Sequence, residues 1–190
     1  MNTRKPYRGT QHKLLIAMDV GTTFSGVSHC PLDPGTVPEI KLVTRFPAQE
    51  HVGGDAKIPS VLYYGQDGSV KAAGAEATRE GILETAEEEG WVLAKWFKLH
   101  LRPSKCTNTF PLGTTNDTTS QFLHPLPPTK SAIDVFADFL HYLFSCTKTF
   151  IIQSMHDGAS IWSSVETTQS IQFVLSLPNG WEGAQQTAMR

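Results

Sequence analysis

Five residues carry most of the chemistry that this 190-residue sequence offers: Asp19-Val20-Gly21-Thr22-Thr23, at the end of the apolar run Leu14 to Met18. A phosphate group approaching a backbone needs N–H donors in the open, and a glycine-containing turn supplies them because no side chain blocks the approach. Thr22 and Thr23 add hydroxyl donors. Asp19 is a carboxylate able to hold Mg²⁺ through water, since magnesium keeps much of its hydration shell and takes only one or two carboxylates. The same five residues also suit a plain hairpin turn, and the pattern alone leaves both readings open. Gly113-Thr114-Thr115 repeats the tripeptide without a preceding apolar strand or a carboxylate two before the glycine. No function is expected of that copy.

The elements that must position these residues follow from the hydrophobic pattern. Leu14 to Val20 predicts a buried strand, Gly21 to Thr23 a turn and Phe24 to Cys30 a return strand, together a β-hairpin. Ile40 to Phe46 and Pro59 to Tyr64 predict two more strands, separated by the Gly53-Gly54-Asp55 turn. Lys71 to about Gly90 is rich in Ala, Glu and Arg and predicts a helix. A second helix is expected over Trp91 to Leu101, stopping before Pro103. On that helix Lys95, Lys98 and Arg102 would form a solvated face opposite Val92, Trp96 and Leu99. Ser104 to Thr129 reads as a long surface excursion, with Pro125-Leu126-Pro127-Pro128 as a stiff linker. Ser131 opens the clearest helical pattern, in which Ile133, Phe136, Ala137, Leu140, Leu143 and Phe144 recur at three- and four-residue steps toward Met155. Ser131 can cap it, with Asp134 three residues on. Ile171 to Leu177 predicts another buried strand, ended by Pro178, and Gly183 to Arg190 the first turns of a helix.

Composition narrows the classes. With 16 Lys and Arg against 18 Asp and Glu, the net charge of −2 provides no broad field for nucleic acid or acidic lipid. The most apolar long stretch, Ile133 to Ile152, carries Asp134, Asp138, His141 and Lys148, so no membrane span is expected. Three cysteines (Cys30, Cys106, Cys146) and seven histidines lack metal-type spacing. No signal-peptide core follows the basic N-terminus, so a reducing, cytoplasmic location is the expectation. Adjacent glutamates at 87 to 89 point in different directions on a helix and read as an exposed end rather than paired catalytic carboxylates.

The segment LIAMDVGTTFSGV, Leu15 to Val27, resembles the first phosphate-binding hairpin of the superfamily shared by actin, sugar kinases and the heat shock protein 70 chaperones. Ile58-Pro59-Ser60-Val61 resembles the strand entry that follows in the chaperone branch, and Leu93-Ala94-Lys95-Trp96-Phe97-Lys98 its lysine-bearing helix. VLSLPNGWEGAQQTAMR, Val174 to Arg190, resembles the chaperones' strand, proline turn and Gln-containing helix, in the divergent form of relatives of heat shock protein 70 kDa member 12. The resemblance implies an α/β fold, the first lobe of an actin-like (ribonuclease H-like) ATPase, with a mixed sheet and flanking helices. Residues 1–12, polar and basic with Pro6 and Gly9, read as a flexible tail; the resemblance implies a core over about 13–48 and 128–190, and a small inserted subdomain over about 49–127. ATP or ADP would bind with Mg²⁺, held by Asp19 through water, while Gly21, Thr22, Thr23 and Phe24 face the nucleotide. Lys95 would orient the transferred phosphate, and Pro178 would couple nucleotide state to the rest of the molecule. The second lobe of this superfamily lies C-terminal to the equivalent of Arg190. The chain is thus expected to be incomplete for hydrolysis, with clients or co-chaperones engaged through other regions. A sugar-kinase-like phosphotransferase lobe and a non-catalytic interaction fragment are the alternative readings.

Overall fold

A computed structural model describes residues 4–49, 56–101 and 123–176, together with 183 and 187. The chain is a mixed α/β protein and divides into two compact units, residues 1–20, 24–58 and 140–176 in the first and 21–23, 59–139 and 177–190 in the second. The expected core and insert were separated near residues 49 and 127. The observed changeovers fall at 58/59 and 139/140.

The first unit is built on β1 (Lys13–Val20) and β2 (Phe24–Leu32). They pair antiparallel without interruption from Lys13 opposite Leu32 to Val20 opposite Ser25. Strict alternation along β1 buries Leu14, Ile16, Met18 and Val20 and leaves Asp19 on the exposed face. Where Ile40 to Phe46 predicts a strand, only β3 (Lys41–Leu42) pairs with β2; Val43 and Phe46 are nonetheless buried. A short strand β4 (Ile58–Pro59) also pairs with β2.

Strand β8 (Ile171–Leu175) lies parallel to β1, from Leu14 beside Ile171 to Met18 beside Leu175. A parallel neighbour requires a crossover, and the residues of helix α2 (Ala132–Ser154) from Leu140 onward, with α3 (Gly158–Thr167), supply it. Phe144 packs against Trp162 of α3 and Phe173 of β8, with ring centroids 5.5 and 5.6 Å apart. Gly158 sits so close to the Ile151 carbonyl that a β-carbon there would clash with backbone. The expectation of a buried strand at 171–177 is corrected. β8 stops at Leu175 and is an edge strand among the described residues, so Phe173 and Val174 are more than half exposed.

The second unit contains an antiparallel sheet in the order β6 (Val70–Ala73), β5 (Val61–Tyr64), β7 (Val92–Lys95). Tyr63, Ala72, Ala77, Ile82 and Ala86 form its core, with Trp91 and Leu93 packed against them. The helices expected over 71–90 and 91–101 are both corrected. The first is replaced by β6, a 3₁₀ turn (Gly74–Thr78) and the short α1 (Ile82–Glu88); the second by β7 and a 3₁₀ turn (Phe97–Leu101). Pairing of Leu93 with Tyr63 and of Ala94 with Leu62 overrides local helix preference. Trp96, in the left-handed region at φ 56°, then ends the strand.

Two further features shape this unit. The β5–β6 turn is closed at Gly68, φ 76°, where Asp67 accepts hydrogen bonds from the Ser69 hydroxyl and N–H. These bonds pull the Asp67 carboxyl down to about 2. The first turns of α2 bring Phe136 and Phe139 onto Phe97. The expected cap is present: Ser131 Oγ accepts from Asp134 N–H, and Asp134 Oδ2 accepts from Ser131 N–H. Among the described residues α2 is the one helix long and apolar enough to cross a membrane by length and composition. Val135, Phe139, Leu143 and Ile151 along it are completely buried, while Ile133 and Ile152 are exposed.

Candidate functional site

The expected phosphate-site residues fall into two sets. Asp19 and Phe24 belong to the first unit, and Gly21, Thr22, Thr23 and Lys95 to the second. Asp19 closes the exposed face of β1 opposite Gly26 of β2. Its two carboxylate oxygens are each engaged: Ser176 Oγ donates to Oδ1 at 2.6 Å, and Lys57 Nζ donates to Oδ2 at 2.5 Å. Ser176 is brought there by β8. As that strand ends, Ser176 N–H still donates to the Met18 carbonyl, so the hydroxyl lies beside the next residue of β1.

Lys57 reaches Asp19 across a gap that only glycine leaves. A β-carbon on Gly26 would stand 2.9 Å from Lys57 Cδ, 3.3 Å from its Cε and 2.8 Å from the Ala56 carbonyl oxygen. The lysine stem therefore crosses β2 where a side chain is missing, and its ammonium meets the carboxylate on the strand beyond. Lys57 and Asp19 both remain about half exposed. Phe24, expected at the nucleotide, is 51% exposed at the start of β2.

In the second unit, the Thr23 carbonyl accepts from Ser60 N–H, which fixes the last residue of the glycine turn to the chain just before β5. Lys95 is on a strand and not on a helix: it ends β7 opposite Val61, and its Nζ lies 4.7 Å from the Trp96 ring centroid. Lys98 is buried at 8% exposure and Lys95 is on a strand, so these two do not share the solvated helix face expected of them. Arg102, Gly113 to Thr115, Cys106 and Pro178 lie outside the described residues.

Asp19 suits a hydrated magnesium ion in chemistry, being one carboxylate at a strand end, but not in its present company. The Lys57 ammonium already neutralises the carboxylate that would hold such a cation, and Ser176 takes the other oxygen. With Lys57 in place, a hydrated Mg²⁺ has to compete with an ammonium already in contact with Asp19. Among the described residues no group of three His, Cys, Asp or Glu side chains could hold a metal ion.

Lys57 and Ser176 are the residues that sequence reasoning misses. They are 38 and 157 positions from Asp19, and no short motif links them. A weak signal was present in Gly26, a glycine inside an otherwise good strand pattern, which often marks close approach of another segment. Compared with models of known protein families and with curated proteins, the chain matches none.

Proposed function

We propose that this chain is the ATP-binding first lobe of a heat shock protein 70-like chaperone ATPase, with the end of β1 receiving the nucleotide's phosphates. The observation that carries the reading is the convergence at that strand end. β1 and β8 run parallel, and their C-terminal ends bring Asp19 and Ser176 into contact. In open α/β sheets ligands bind beyond the carboxyl ends of the strands, and a glycine turn follows Asp19 directly in the chain. The mixed sheet of an antiparallel hairpin extended by a parallel strand, with helices in the crossover, is compatible with the actin-like lobe that the sequence resembles.

In this reading Lys57 and Ser176 orient the Asp19 carboxylate, Gly21 with Thr22 and Thr23 offers donors to phosphate oxygens, and Lys95 is a positioning candidate for the terminal phosphate. Isothermal titration of the chain with ATP and ADP, in EDTA and in Mg²⁺, tests it. Binding that is weakened in Thr22→Val by roughly the 1–3 kcal/mol of a lost polar contact is expected. No heat and no thermal shift with either nucleotide under either condition would refute the reading.

A further inference from the structure

We propose that Lys57 is the resident cation of the Asp19 site: a tethered ammonium, laid over Gly26, stands in for a divalent metal, so that a phosphate ligand is taken here without magnesium. The inference rests on the reading of this strand end as a phosphate site and changes what that site requires. A hydrated Mg²⁺ carries two charges but sits behind a water layer, at about 2.0–2.1 Å from each water oxygen. It is therefore well beyond contact with the carboxylate, whereas Lys57 Nζ is in hydrogen-bond contact at 2.5 Å. The attraction scales as charge over distance, so the nearer single charge and the farther double charge are about evenly matched in water.

Tethering tips that balance. The ammonium is held at a fixed local concentration by its own chain, and the missing side chain at position 26 gives its stem a defined path. Ser176 donates to the other oxygen and limits rotation of the carboxylate. Lysine is a compact cation with three donors. One serves Asp19, and the others are available to an anion in the same half-exposed place.

The experiment uses the whole chain and Mn²⁺ as the metal probe, read by paramagnetic broadening of the Met18, Val20 and Ser176 amides. Wild type, Lys57→Met and Asp19→Asn are compared. Lys57 is exposed enough for the methionine variant to fold, and circular dichroism checks this. An exposed pair of this kind competes only modestly, so Lys57→Met is expected to bind Mn²⁺ at Asp19 roughly two- to fivefold more tightly than wild type, and Asp19→Asn to lose the site. Equal broadening in wild type and Lys57→Met, or none in Lys57→Met, would overturn the proposal. ATP titrations form the second arm. Binding by wild type in EDTA that falls in Lys57→Met is expected. Binding by wild type only when Mg²⁺ is added would overturn the proposal and leave the nucleotide reading standing. Absence of ATP binding in every condition would instead refute the nucleotide reading, and the metal-free phosphate site with it, whatever Mn²⁺ does.

Discussion

In the mixed-sheet unit, His29 is 1% exposed and neither ring nitrogen has a hydrogen-bond partner among the described residues. In the antiparallel unit, Tyr64 is fully buried but its hydroxyl donates to Asp138 at 2.9 Å; Lys130 donates to the same carboxylate oxygen and lies over the tyrosine ring. The His29 ring makes an edge contact with Phe150, on which Arg45 also stacks, and Lys41 stands opposite on β3. Burial first, then Lys41, pushes its imidazole below the ordinary value. Burial first, then Asp138, pushes the Tyr64 phenol far up. The difference teaches that depth alone does not decide what a buried polar group does. With partners it tightens a core, and without them it makes the core sensitive to protonation.

The largest expected effect asks whether the Tyr64 unit is held by packing or by its polar network. Phe139→Ala, removing a completely buried ring from the Phe97 cluster, is expected to cost about 3–5 kcal/mol in urea melts. A loss no greater than that of Tyr64→Phe would make the network the principal support.

Next comes the histidine. Its native value is lowered, so below about 6.5 the unfolded chain takes up a proton that the folded one refuses. Stability present above that pH is therefore lost as the pH falls through 6.5 toward the native value, by up to about 1.4 kcal/mol per unit. His29→Leu should lack this component. Parallel stability profiles for wild type and His29→Leu between pH 7 and 5 would remove the contrast between the units.

Tyr64→Phe sharpens the other side. Lys130 still pairs with Asp138 in the variant, so the loss should be only about 1 kcal/mol, with the Lys130 contribution exposed by a double-mutant cycle. Smallest is Lys57→Met, expected to change global stability by less than about 1 kcal/mol because the pair with Asp19 is half exposed. A larger loss would mean that the lysine holds the fold and is not merely a charge at the site.

Strands β1 and β2 were legible because a short apolar run and the glycine turn that follows it agree, and α2 because its apolar stripe and the Ser131/Asp134 cap point the same way. The strands β6 and β7 were not, since Lys71 to Ala73 and Val92 to Lys95 are acceptable in a helix and become strands only by pairing with β5. The Asp67-Gly68 turn between β5 and β6 was the overlooked signal for the first of these. Asp19 could be singled out from its own neighbours, but the ammonium and hydroxyl that occupy it come from segments whose approach is set by the tertiary fold.

The parallel pairing of β1 with β8 carries a cost in time. Leu14 must wait for Ile171, and at roughly 5–20 residues per second a ribosome needs roughly 8–30 s to make the intervening chain. Throughout that interval β1 has an open inner edge of unpaired N–H and C=O groups from Leu14 to Met18, a template on which another strand can pair. Correct pairing therefore requires that edge to stay open until the distant strand arrives.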